Sequence, residues 1–259
     1  MVSDLVSRVF SRSRFLSVFA KEFNATFRLI PLVLGGMVTP LFIYFMFGRA
    51  MGAGQVMIAG VPLQQYMVPG TLFFQLVYST FYQASYSTFF SSNITQTMDE
   101  LLTSPLSSLD ILMGRVANTT VVSILVTIPL LGILVAVSGI GIHLGWLVVS
   151  LAALFLVAVI SSLLGTLLGL MVNNEFSLIN FANVIVIPLI FLSDTFIRVS
   201  DHPVANALLY LSPVKLGNDV VRRGLIQHEL DLVGSGLLVL YAVVWGVIVY
   251  RVFDAKSRG

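Results

Sequence analysis

Apolar positions in this chain come in long blocks, and each block is too continuous to be the buried face of a soluble helix or strand. A helix that crosses a bilayer needs about 20 mostly apolar residues. Six stretches meet that length, at 29–47, 66–92, 116–138, 144–172, 176–197 and 232–250. The second is rich in Tyr, Ser, Thr and Gln, yet it carries no charge, and Phe73, Phe74, Phe81, Phe89 and Phe90 keep it apolar. Such a helix is expected to face other helices rather than lipid. The fourth stretch places Gly165 and Gly169 four apart, a small-residue pattern that permits close helix packing.

Residues 1–28 follow a different rhythm. Leu5, Val9, Leu16, Phe19 and Phe23 share one narrow arc at the helical period, with Ser7, Arg14 and Lys21 opposite. That pattern predicts an amphipathic helix lying in the membrane interface, its cations near anionic headgroups. Arg12 falls inside the apolar arc, so it must snorkel or interrupt the helix. Residues 48–65 are glycine-rich, end near Pro62 and read as a turn. Residues 198–231 are long for a loop and too apolar to be a free one. Leu208, Leu209, Tyr210 and Leu211 precede Ser212-Pro213, and Val220, Val221, Leu225 and Ile226 follow. Short helices that dip back into the membrane fit this segment, because backbone at that depth must be covered by protein. The expected fold is thus an all-α integral membrane protein. An interfacial helix over 1–28 precedes a six-helix transmembrane domain over 29–259, with short re-entrant helices before the last crossing.

Composition agrees. Of the 259 residues, 57% are hydrophobic and 10% charged, against about 25% charged in soluble domains. The net charge of +2 is too small to suggest nucleic acid as a partner. There is no cysteine, so disulfides and thiolate chemistry are excluded. Six crossings put both termini on one side. With the termini inside, the cytoplasmic segments hold nine Lys and Arg residues, and the outer loops hold five: Arg49, Arg198, Lys215, Arg222 and Arg223. The positive-inside rule therefore places both termini in the cytoplasm, with the plasma membrane as the expected location.

No catalytic pattern emerges. None of the three lysines lies in a phosphate-binding G-x-x-x-x-G-K-[ST] loop. His143, His202 and His228 are scattered and read as solvated or loop-capping residues. No serine occupies a G-x-S-x-G elbow. Acids within the crossings, which would mark a proton or ion pathway, are nearly absent. A membrane protein of this kind is driven from elsewhere, is a passive pore, or is structural.

One stretch breaks the pattern. No Asp, Glu, Lys or Arg occurs between Ala50 and Met98, and then Asp99, Glu100 and Asp110 arrive together among leucines. Asp99 and Glu100 suit the start of a short helix, where carboxylates favour the helix dipole. Ser104-Pro105 offers an N-cap and first-turn proline for a helix running through Gly114-Arg115 into the third crossing.

This arrangement resembles the membrane subunits of type-2 ABC exporters, the class that includes daunorubicin-resistance and nodulation-factor permeases. Three sets of residues carry the likeness: Glu100, Leu101-Leu102, Pro105 and Gly114-Arg115; Pro188 to Ser193; and Leu211-Ser212-Pro213 followed by Asp219-Val220-Val221-Arg222-Arg223. The chain departs from the family in having Asp194 where a glycine is usual. Asp201-His202-Pro203 also matches the family's proline-rich outer segment only loosely.

The resemblance implies a permease that pairs with a second copy or a paralogue, sits among membrane lipids and docks a cytosolic ABC ATPase. ATP and Mg would belong to that partner, leaving this chain with no cofactor and no enzymatic activity of its own. The cytoplasmic loop over about 97–115 would couple to the ATPase. Leu101, Leu102 and Leu106 would make apolar contact, Asp99 and Glu100 would pair with cations or cap the helix, and Pro105 would stiffen the join. Pro213, Asp219, Arg222 and Arg223 fall on the outer segment over about 198–231 that would close the exit, with Asp219 within one turn of both arginines. Tyr78, Tyr82 and Tyr86, spaced by four, are open to two readings: helix packing, or a path for an amphipathic drug, lipid or lipid-linked glycan. The competing function is a passive channel or an ion-coupled carrier.

Overall fold

The computed structural model describes residues 18–20, 22–24, 35–50, 56–58, 60–94, 107–141, 143–191, 193–194, 209 and 212–258. Helix α1 (Val38–Ile43) continues as a wide turn through Tyr44–Ala50. A two-residue hairpin follows, β1 (Met57–Ile58) against β2 (Val61–Pro62). Then come α2 (Leu63–Phe89), α3 (Ser108–Ser138), α4 (Leu144–Met171), α5 (Glu175–Phe191), α6 (Pro213–Arg222) and α7 (Leu232–Arg258). Three of these are long and apolar enough to cross a membrane: Ser108–Ser138, Leu144–Met171 and Leu232–Lys256. Helix α5 is apolar but shorter.

The centre of the bundle is α2, the polar apolar-length segment. It packs on α1, α3, α4, α5 and α6, and Leu72, Phe73, Leu76, Val77 and Phe81 are fully buried. Several of its hydroxyls are satisfied within the helix: Thr71, Thr80 and Ser85 each donate to a carbonyl one turn earlier. Burial among helices, not lipid, is what its composition permits. Against it lies α4, with Gly165 and Gly169 facing the carbonyls of Phe81 and Ser85 so closely that no Cβ fits at either position. The small-residue spacing thus permits a very close helix contact, the closest at any glycine among the described residues. Many large exposed apolar residues lie on the outer elements, including Phe42 of α1, Phe45 and Phe47 of the wide turn after it, Phe181, Val184 and Ile187 of α5, and Val243, Val244 and Val247 of α7.

Several boundaries differ from those read off hydropathy. Helix α3 begins at Ser108 rather than at 116, because Ser107 and Asp110 form a reciprocal capping box. The cap of this helix is therefore Ser107, three residues beyond the expected Ser104. Helix α5 ends at Phe191 instead of 197, and Ser193–Asp194 turn the chain with Asp194 at φ +51°. Helix α7 runs eight residues past 250, to Arg258, and Lys256 Nζ donates to Leu170 O at 2.5 Å. Hydropathy misses this extension because charged residues at a helix end need no apolar solvent.

Candidate functional site

Among the described residues, the ion pairs gather at the two ends of the bundle. At one end, the described part of the N-terminal segment meets the start of α3. Val18 is buried against Gly114, where a Cβ would lie 2.7 Å from the valine side chain. One turn on, Glu22 Oε1 lies 3.7 Å from Arg115 Nη2, and Ser87 of α2 donates to Glu22 Oε2 at 3.3 Å. Phe19 stacks on Phe23 and both are only half-buried. The protein-facing side of this segment is thus Val18 and Glu22, about 100° round from the Phe19–Phe23 arc. Most of residues 1–28, including the rest of that arc, lies outside the described residues.

Arg115 is completely buried, with 1% of its side chain exposed against 21% for Glu22. A buried guanidinium without its counter-charge is costly. The same region holds Asn118, Thr119, Ser161, Ser162 and Thr166, all buried, with Thr119 and Ser162 hydroxyls 2.6 Å apart. Glu22→Gln should destabilise the protein by about 2–3 kcal/mol, less than a fully buried pair because the glutamate keeps some solvent. Glu22→Gln with Arg115→Met should recover most of that loss. Thermal unfolding in detergent reads both variants, and equal losses in single and double would show that the pair contributes nothing.

At the other end, α6 is built for burial. Ser212 caps it, its Oγ accepting from Lys215 N at 3.4 Å, and Pro213 fills the first turn. Lys215, one of the five cations assigned to the outer loops, is buried. Its ammonium donates to Asp219 at 2.7 Å and lies 3.4 Å from Asp194. Burial alone would lower its pKa, but hydrogen bonding and attraction from Asp219, then Asp194, more than offset this and raise it. Lys215 therefore stays charged across the physiological range.

Arg222 lies 3.6 Å from Asp219, donates to Asp194 O at 2.8 Å, and stacks 3.9 Å above the Tyr66 ring. Arg223 turns the other way and pairs with Asp231 at 3.4 Å, half-exposed. Asp219 is thus the ionic partner of Arg222 but not of Arg223, because successive residues on a helix point about 100° apart. Nearby, the His143 and His228 rings meet edge to face at 4.5 Å. Among the described residues no group of three metal-ligating side chains exists.

The match to known families decides what this arrangement belongs to. The ABC-2 type transporter family matches over residues 13–226. The chain belongs to the ABC-2 type transporter family. No curated protein matches it by sequence. As a member it is a membrane protein and the permease component of an ABC transporter, the part distinct from the ATPase.

Of the residues singled out from the permease's sequence, Pro213, Asp219 and Arg222 come together on α6, and Arg223 lies beside them on the wide turn Arg223–Gln227. Asp99, Glu100, Leu101, Leu102, Pro105 and Leu106 lie outside the described residues. Tyr78, Tyr82 and Tyr86 share a face of α2. Tyr78 is 42% exposed and its ring centroid is 4.4 Å from that of Tyr82. Tyr82 donates to Asn183 of α5 at 2.5 Å, and Tyr86 stacks on Phe90. One tyrosine is therefore open while the next holds two helices together. Glu22, Asp194, Lys215 and Asn218 carry the site's polar contacts without standing out in the sequence. The only signal available was Asp194 in a place where the family usually has glycine.

Proposed function

We propose that the chain is the permease subunit of an ATP-driven exporter that moves an amphipathic substrate outward across the plasma membrane. The observation that carries this reading is the family match over most of the chain. It works as a pair of permeases, of this chain alone or with a paralogue, docked on a cytosolic ABC ATPase that supplies the ATP and Mg site. Six crossings with both termini in the cytoplasm fit the Lys and Arg distribution. On that orientation the Glu22–Arg115 end is cytoplasmic and the α6 end is outer.

The segment with Asp99, Glu100, Leu101, Leu102, Pro105 and Leu106 then meets the ATPase. Its neighbourhood supports this: in sequence the segment directly precedes the capped start of α3, to which Val18 and Glu22 also fasten the N-terminal segment. Pro213, Asp219, Arg222 and Arg223 lie where the exit closes, and the exposed Tyr78 ring offers a stacking surface to a substrate with a flat apolar or sugar face. Because one chain of this size is too small to enclose a path for a large amphipath, the transporting unit contains two permeases. Mass measurement of the complex purified with its ATPase should give two permeases per particle, and a single permease would defeat the proposal. Stimulation of its ATP hydrolysis by a panel of lipids, glycans and drugs identifies the substrate class.

A further inference from the structure

The end of α5 and the helix α6 are joined by more than packing. Asp194 takes a left-handed conformation, φ +51°, with 4% of its side chain exposed. That backbone turn aims both its carbonyl and its carboxylate at α6. The carbonyl accepts from Asn218 Nδ2 at 3.1 Å and Arg222 Nη2 at 2.8 Å, while the carboxylate lies 3.4 Å from Lys215 Nζ. Ser193 adds a second strand to the join: its carbonyl accepts from Asn218 at 3.3 Å, and its hydroxyl lies 3.0 Å from that of Ser212. The α6 partners are Ser212, Lys215, Asn218 and Arg222, which recur at helical spacing along one side.

A left-handed turn is made most easily by glycine, and aspartate is one of the few other residues that takes it as a single position. The turn alone therefore does not require a carboxylate, and one turned inward has a task beyond it. Separating α6 from α5 would leave the buried Lys215 short of one carboxylate, and Arg222 and Asn218 without a shared acceptor, all in a poorly hydrated place. We propose that Asp194 is a positioning residue whose carboxylate fastens α6 to the end of α5, so that the two move as one body when the exit opens. The movement rests on the exporter reading above; the fastening does not.

The chain has no cysteine, so Ser193→Cys with Ser212→Cys makes a unique pair close to disulfide reach. In membranes, oxidation should cross-link this pair readily when Asp194 is present. In Asp194→Asn and Asp194→Gly backgrounds, cross-linking should slow by about tenfold, the ratio for losing one charge-assisted contact. Asn and Gly both tolerate a left-handed backbone, so neither change removes the turn itself. Equal rates in all three backgrounds would overturn the fastening.

The cross-linked permease is then assembled with its ATPase in phosphatidylethanolamine and phosphatidylglycerol vesicles. One-body movement predicts ATP hydrolysis within about twofold of the reduced protein, since the disulfide adds only a bond the structure already imitates. Loss of hydrolysis that returns on reduction would overturn the one-body claim. If the wild-type chain binds no ATPase, the exporter reading fails, and the cross-linking comparison alone still decides whether Asp194 is the fastener.

Discussion

Gly165→Ala combined with Gly169→Ala should cost the protein about 2–6 kcal/mol, twice the usual penalty for one overpacked site. That is a large share of the roughly 5–15 kcal/mol that holds a domain together. The reason is geometric. A Cβ at 165 would lie 2.4 Å from Phe81 O, and one at 169 would lie 2.5 Å from Ser85 O and 2.8 Å from Thr88 Cβ. Both obstructing oxygens belong to the backbone of α2, so no side chain can swing away to make room. Relief requires α2 and α4 to separate, and α2 is the helix on which the bundle is assembled. In a bilayer, where lipid is as apolar as leucine, close packing is the main force holding helices together. Gly132→Ala serves as the control, because nothing lies within 4 Å of a Cβ there. It should be neutral or gain about 0.5–1 kcal/mol from helix propensity. Thermal unfolding in detergent measures all three, and a double variant as stable as Gly132→Ala would show that α2 and α4 do not touch as described.

Leu101→Ser with Leu102→Ser should abolish transport while leaving expression and permease pairing intact. Each leucine buried in a partner's cleft contributes about 1.5–3 kcal/mol. Losing both should weaken ATPase binding by at least about a hundredfold, at 1.4 kcal/mol per factor of ten. The acids and proline of this segment are also explained by a capped turn without a partner, but three leucines beside them are not. Pull-down of the ATPase on immobilised permease gives the binding change directly. Normal binding and transport by the double variant would remove this segment from the coupling role.

The hydropathy pattern by itself determined that the chain lives in a membrane and where most helices lie, because the bilayer selects on apolar length alone. It also marked α2 as a helix that needs protein neighbours, since its hydroxyls and amides would find no partner in lipid. The Gly165–Gly169 spacing was visible too, but any glycine-rich membrane helix shows such spacings, and only the carbonyls of Phe81 and Ser85 gave it meaning. Charge was the least legible property. Lys215 looks like an ordinary loop cation until two carboxylates from different elements close around it. Glu22 and Arg115 lie ninety-three positions apart and meet only because Gly114 lets Val18 approach. Asp194 appears as a departure from a family habit; the fold makes it a junction, because a left-handed turn sends its carbonyl and carboxylate to the same helix. A sequence fixes each residue's preference for water or lipid, whereas the partner that lets a charge be buried is supplied by tertiary structure, since attraction between charges depends on distance in space and not along the chain.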